Sequence, residues 1–400
     1  MKETTMNDNS RSRRQVSKLV TVLAGLLPCS LLANDSGAFF ADSSTKFNLR
    51  YRLETVDQTG FDEDATGSTL KARVTWQSGE VSHFKLNAEL DHVMALGADD
   101  YNDASGESNK TQYPVIADPT GTDLNQLNLM YHKQNLTVIA GRQRILLGNQ
   151  RFVGGVGWRQ NEQTYDGVRA KYKANDLWSF DYSYLFNINR IFGPDGPKKE
   201  AEGSFHLFNG HFKLNDTQNL TAFAYLLEYD AASDSLDTYG IDYQGKIQAI
   251  ALHASMATQS IGDFSAGYFA LDGTIGLGKT KVTLGWEQLG SDDGQYGFTT
   301  PLATGHKFQG FADKFLGTPA NGVNDFYIKV AGNIGKAKLS ATYHQLDSVE
   351  GSSDYGSEID LVASYKVHDT TTLVAKYAAY SAEDFATDTN KFWFMANSVF

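Results

Sequence analysis

From Phe47 onward the chain alternates. Phe47, Leu49, Tyr51 and Leu53 are separated by Asn48, Arg50 and Arg52, and Leu70, Ala72, Val74 and Trp76 by Lys71, Arg73 and Thr75. Phe84, Leu86, Ala88 and Leu90 interleave with Lys85, Asn87 and Glu89, and from Trp178 to Ile188 aromatic residues occupy every second position until the run closes. Period two with one apolar and one polar face is the mark of a strand whose two faces meet different surroundings. Runs of this kind number about 18, within the range of outer-membrane barrels.

The connections sharpen the prediction. Tight links are expected at Ser78-Gly79, Lys133 to Asn135, Lys173 to Asp176, Asn215 to Gln218, Gly245-Lys246, Gly278-Lys279, Gly332 to Gly335 and Val367 to Asp369. Longer polar links alternate with them, at Gln58 to Thr66, Ala95 to Asp123, Leu147 to Gln163, Ile191 to Gly203, Ser291 to Gly322, Asp347 to Gly356 and Ser381 to Thr389. Short turns on one side and long loops on the other predict an all-β chain, a transmembrane antiparallel β-barrel with periplasmic turns and extracellular loops. In such a barrel the apolar set faces lipid and lipopolysaccharide, and the polar set lines a lumen. The closing run ends in Phe400 with Phe392 and Phe394 on the same face, resembling the terminal strand that barrel assembly machinery recognises.

The first residues read as an address. Arg11, Arg13, Arg14 and Lys18 precede an apolar run from Leu19 to Leu32, followed by small residues. This predicts a signal peptide over residues 1–33, cut after Ala33 or Ala38, then a short segment 34–46 and the barrel over 47–400. Cys29 leaves with the signal, so the mature chain has no disulfide or thiolate site. Removing that segment leaves 30 basic and 45 acidic side chains, a balance that gives no attraction for nucleic acid. No cofactor or metal is expected; Asp62, Glu63, Asp64 and Asp99, Asp100, Asp103 lack the spacing of a calcium loop and read as solvated surface.

Charge then adds an asymmetry. Every arginine of the mature chain lies between Arg50 and Arg190. By parity Arg50, Arg52, Lys71, Arg73, Lys85, Arg169 and Lys171 point inward, and Asp181, Glu228, Asp242, Glu287, Asp325, Glu358 and Asp360 form an opposing acidic wall. A transverse field of this kind orients charged solutes; the same charges can also brace the wall as ion pairs. Unbroken alternation would send Arg142 and Arg144 into lipid, so either a bulge at Gly141 turns them inward or they sit above the hydrocarbon and meet lipopolysaccharide phosphates. The aromatic loop Ser291 to Gly322 either enters the mouth as a constriction or packs outside on its neighbours.

The segment GRQRILLGNQRFVGGVGWRQNEQTYDGVR (Gly141 to Arg169), with YPVIADPTGTDLNQ (Tyr113 to Gln126) and TPLATGHKFQGFADKFLGTP (Thr300 to Pro319), resembles the alginate-export family of outer-membrane porins. That resemblance implies 18 strands around an electropositive pore for acidic polysaccharide or its fragments, with Arg142, Arg144, Arg151 and Arg159 lining the path. The short link at Val367 to Asp369 departs from the long periplasmic turn that plugs the dedicated exporter. The rival is a general or small-anion diffusion porin. A barrel hydrolase has no GxSxG, HExxH or phosphate loop to support it, and an adhesin with a plugged lumen lacks a domain ahead of the first strand.

Overall fold

The computed structural model describes residues 36–106 and 110–400. The expected signal peptide, residues 1–33, lies outside them. A one-turn helix α1 (Ser36–Ala41) sets Phe39 and Phe40 against Trp76 at the turn-side rim. Eighteen strands then form one antiparallel meander in which each pairs with its sequence neighbours. Two further short strands, β14 (Ser291–Asp292) and β15 (Tyr296–Gly297), pair only with each other in a loop; in the barrel, β1 (Ser44–Gln58) pairs with both β2 (Ala65–Gln77) and the last, β20 (Thr389–Val399), so the sheet closes on itself. Closure satisfies every edge, the condition for a sheet to cross hydrocarbon. The apolar parity residues lie outside: Leu49, Val74, Tyr182, Ile241, Phe326, Leu361 and Phe392 are all exposed, as a lipid-facing band requires.

Turns and loops alternate as predicted, with local shifts. The turn expected at Gly245-Lys246 falls at Gln248-Ala249, because β10 (Leu236–Ile247) runs on to pair Ile247 with Ile250 of β11 (Ile250–Ile261). Gly245 serves packing instead: a Cβ there would collide with the Tyr243 hydroxyl at 2.4 Å and its ring carbon Cζ at 2.7 Å. On the loop side, β11 reaches β12 (Phe264–Leu277) through only Gly262 and Asp263.

Arg142 and Arg144 do turn inward, by a different device from the expected bulge. Both ladders around Gly141 hold register, Asn128 to Gly141 and Gly141 to Gly167, across β4 (Gly121–Lys133), β5 (Leu136–Gln143) and β6 (Thr164–Lys173). Gly141 sits at φ +115°, where a Cβ would meet the Leu127 carbonyl at 2.3 Å, and at Gly167 a Cβ would meet the Tyr184 carbonyl at 2.2 Å. The paired glycines let both strands break parity together, so Arg142 meets its cross-strand partner Asp166 inside. A Gly141→Val variant should lose about 1–3 kcal/mol to backbone strain, with the carbonyl collision added. The folded, heat-modifiable band should then disappear at lower urea; an unchanged midpoint would remove this account of the kink.

Candidate functional site: a lumen narrowed by two inward loops

The basic wall is built by β1, β2 and β3 (Phe84–Asp100). Their ladder sets Arg50 opposite Lys71 and Asn48 opposite Arg73, all on the inner face. These residues do not line open water, since Arg52 and Lys71 are fully buried. The loop 144–163 covers them. Arg50 donates through Nη1 to the carbonyls of Gly157 (2.9 Å), Trp158 (3.2 Å) and Arg159 (3.0 Å) and through Nε to Asn397 (2.8 Å). Arg52 pairs with Asp118 at 2.7 Å, brought in by the loop 101–120, and also donates to the Trp158 carbonyl. The Lys71 ammonium reaches no protein acceptor.

The arginines from Arg73 to Arg169 are held by carboxylates. Arg73 forks onto Asp91 and reaches Glu162 at 2.9 Å, while Arg144 bonds Glu162 (2.7 Å) and Glu89 (2.8 Å). Arg142 forks onto Asp166, Arg159 bonds Glu54 at 2.8 Å, Arg151 pairs with Glu287 at 2.7 Å, and Arg169 with Asp181 at 2.8 Å. Lys85 and Lys171 stand near the turn-side rim, Lys85 beside Glu80 at 3.8 Å and Lys171 exposed.

Two members of the expected acidic wall are misplaced. Asp181 belongs to the basic sector, on β7 (Trp178–Asn189) beside Arg169 rather than across the lumen from it. Glu228 points outward. On β9 (Gln218–Tyr229) the inner face turns from polar at Asn219 and Thr221 to apolar at Phe223, Tyr225 and Leu227, because that half receives Phe152 from the inserted loop, whose ring centre lies 4.8 Å from that of Phe223. A rule that sends apolar side chains to lipid inverts where the lumen itself is packed.

Asp242, Glu287, Asp325, Glu358 and Asp360 do face inward. His253 bridges Asp242 (2.7 Å) and Asp272 (2.8 Å), and His344 bonds Asp325 at 2.9 Å with Asp360 at 3.7 Å. Glu358 accepts the backbone N–H of Ala312 at 2.7 Å and Asp360 that of Phe311 at 3.2 Å, both from the loop 290–322. Each wall thus grips a loop by the backbone group of opposite polarity. The arginines hold carbonyls and the carboxylates hold amides.

The two loops meet at the centre. Trp158 stacks on His306 with ring centres 3.5 Å apart and planes within 5°, and the Lys376 ammonium lies 3.3 Å over the Phe311 ring beside His306. Asp313 ties the junction together, bonding His306 at 2.7 Å and Lys391 at 3.0 Å, with Arg159 at 3.4 Å. Burial keeps the His306 imidazole well below its ordinary value and so neutral. Burial opposes the charge of Glu162, but Arg73 and then Arg144 outweigh it and hold the carboxyl below the usual carboxylate range. Asp313 is likewise held well down, against burial, by Lys391.

What is left of the lumen is a set of chambers. A cavity of about 530 Å³ opens on the loop side, lined by Arg151, Arg159, Arg190, Lys314 and Lys391 with Asp313 as its carboxylate. Below the loops lie cavities of about 340 Å³ beside Asp242 and His211, and of about 290 Å³ beside Asp272, Asp325 and His344. Parity could have exposed Glu54, Glu89 and Asp91, which stand at steps of two from Arg52 and Lys85. Asp118, Glu162 and Asp313 lie in loops, where no period marks a facing residue.

An 18-stranded closed barrel with a lipid-facing apolar band is the fold of outer-membrane porins. OccAB4 of Acinetobacter baumannii superposes with a TM-score of 0.71 at 12% identity, covering 92% of this chain and 100% of that one. OccAB1 of the same organism gives 0.69 at 13%, covering 92% and 99%, and opdK of Pseudomonas aeruginosa 0.69 at 12%, covering 90% and 99%. These neighbours are Occ/OprD-family outer-membrane porins rather than enzymes. No protein-family model and no curated protein matches the sequence. The resemblance to the alginate-export family therefore finds no support, and the neighbours are porins of another family.

Replacing Arg52 with alanine takes its 2.7 Å partner from buried Asp118, leaving only the Gln160 amide at 2.8 Å and Arg159 at 3.9 Å, at a cost of up to about 3–5 kcal/mol. The loop 144–163 should loosen and single-channel conductance in planar bilayers should rise. A lining arginine would instead show unchanged conductance with weaker anion preference. For pH, the folded carboxyls of Glu162 and Asp313 lie below their unfolded values. Docking is therefore fully present above the ordinary carboxylate range of about 4 and weakens only as pH falls through the lower folded values. Conductance noise from loop release should stay flat from neutral pH down to about pH 5; an onset of flicker within that window would contradict it.

Proposed function

We propose that this chain is a passive outer-membrane channel for small carboxylate-bearing solutes, best suited to those that also carry an ammonium group. The observation that carries this reading is the loop-side chamber, where five cationic side chains face one carboxylate. Arg190 and Lys314 make no ion pair there among the described residues, so they are available to a solute anion. Burial lowers the Lys314 ammonium to about 8, leaving it charged at neutral pH. Beyond the junction the path meets Asp242, Asp272, Asp325 and Asp360, which favour the cationic end of a zwitterion.

Size favours small solutes. Chambers of about 290 to 530 Å³ have the volume of ordinary small-molecule sites. A hydrated polysaccharide would need an uninterrupted groove, which the meeting of Trp158 and His306 closes. Acidic saccharides such as alginate fragments, the partner expected from the sequence, are therefore the weaker reading.

Swelling of proteoliposomes tests the choice. Amino acids and small dicarboxylates should enter faster than neutral sugars of equal mass and far faster than alginate trisaccharide, and Lys314→Ala with Arg190→Ala should slow the carboxylates about three- to tenfold by loss of the two free charges. Equal rates for neutral sugars, or faster entry of the trisaccharide, would overturn it.

A further inference from the structure

The acidic side of the barrel carries a basic site at its periplasmic end. Strands β13 (Thr280–Leu289), β16 (Val323–Ile334) and β17 (Ala337–Asp347) pair in sequence order, with Thr283 opposite Lys329 and Asn333 opposite Lys338. Glu287, Asp325 and His344 fix the inner face of these strands, since they meet Arg151 and one another inside the lumen. Counting by twos along each strand puts Lys281, Lys329 and Lys338 on that same face. Lys281 and Lys329 are diagonal neighbours on adjacent strands, about 7–8 Å apart at their β-carbons.

These three, with Lys279 from the adjoining turn, line a cavity of about 350 Å³ whose other walls are Ala331, Asn333, Ser340 and Ser364 among neutral residues. No carboxylate contributes to it, and none of the four lysines forms an ion pair among the described residues. That sets them apart from the arginines of the opposite sector, every one of which, Arg50 and Arg190 excepted, is held by a carboxylate. Among the turn lysines, Lys173, Lys213 and Lys366 each close on an aspartate three residues ahead, whereas Lys133, Lys246 and Lys336 form no ion pair among the described residues, so it is the convergence of four lysines on one cavity that marks this site. Lys329 also lines the cavity of about 290 Å³ above, together with Lys307 from the inserted loop. Burial, and next the charge of Lys329, lower the Lys307 ammonium.

We propose that Lys281, Lys329 and Lys338, with Lys279 at the rim, form a binding site at the periplasmic mouth for a small multivalent anion, a di- or tricarboxylate or a phosphate-bearing solute. A single negative charge cannot neutralise lysines spread over three strands, whereas two or more negative groups on one solute can bridge them. Lysine suits such a role as a mobile point charge with three donors and no demand for a planar partner. Lys281 and Lys338 stand nearer the turn-side rim than the carboxylates Asp272 and Asp360, whereas Lys329 shares a register row with Asp360 through Thr342. The site deepens the reading of the lumen as a path for carboxylate-bearing solutes, but it requires only that the turn-side mouth be open to water.

Calorimetric titration of inorganic pyrophosphate and of citrate into the detergent-solubilised barrel tests it without any need for conduction. Binding of both is expected, weakened at least about tenfold in the Lys281→Gln, Lys329→Gln, Lys338→Gln triple variant by loss of three charges, while Lys173→Gln, on a paired turn lysine, leaves it unchanged. In bilayers the same anions should block conduction from the periplasmic side at lower concentration than from the loop side. Absent binding, or equal binding by the triple variant, overturns the site. Pyrophosphate binding lost in the triple variant, in a barrel that admits no small carboxylate, would keep the site and sink the proposed transport function instead.

Discussion

A guanidinium taken out of water must be given a partner, and that requirement organises the interior of this barrel. The first two strands place Arg50, Arg52 and Arg73 on the inner face of a lumen too wide for opposite walls to meet directly. An ion buried alone costs several kcal/mol, so the wall becomes stable only when something brings acceptors to it. The loops 101–120 and 144–163 do so, with Asp118 and Glu162 as carboxylates and Gly157, Trp158 and Arg159 as carbonyls. The far wall makes the converse demand, and the loop 290–322 answers it with the amides of Phe311 and Ala312. The stack of Trp158 on His306 follows from both loops having been drawn to the middle.

Transport properties follow from this packing. Arginines that are saturated by carboxylates or carbonyls cannot also hold a solute, so on the reading proposed above selectivity would rest on the charges left unpaired, Arg190 and Lys314 on the loop side and the lysines at the periplasmic mouth. The loops also move the open path. They seal the sector of β1 to β3 and leave cavities against β8 (Glu200–Asn215) to β10 and against β11 to β18 (Asp354–Lys366). Phe152 needs a dry seat among Phe223, Tyr225 and Tyr268, which is why part of the lumen wall is aromatic.

Much of the frame was legible. Alternation located strands such as those carrying Leu49, Val74 and Tyr182, and the loop asymmetry marked the two rims. The turn at Gly245 failed because a glycine read as punctuation was making room for Tyr243. Glu228 failed because the apolar set of its strand faces an inserted loop rather than lipid, and Asp181 because parity reports the inner face without saying which sector of it. Arg50, Arg52 and Lys71 were placed on the correct face and in the wrong surroundings, sealed beneath the loop 144–163 instead of wetted, whereas Arg151 and Arg159 do line the loop-side chamber.

The sequence by itself determined that the chain would close as a barrel, which rim bears the loops, and that the basic residues of its first strands point inward, because a period of two encodes a face and the hydrocarbon decides which face it is. Only the tertiary structure decided what those residues touch. The contacts that matter join positions such as Arg50 and Gly157, 107 residues apart, across a lumen whose shape exists only after closure. No local pattern carries that distance, since partners drawn from loops are chosen by the charge left uncompensated on the wall and not by spacing along the chain.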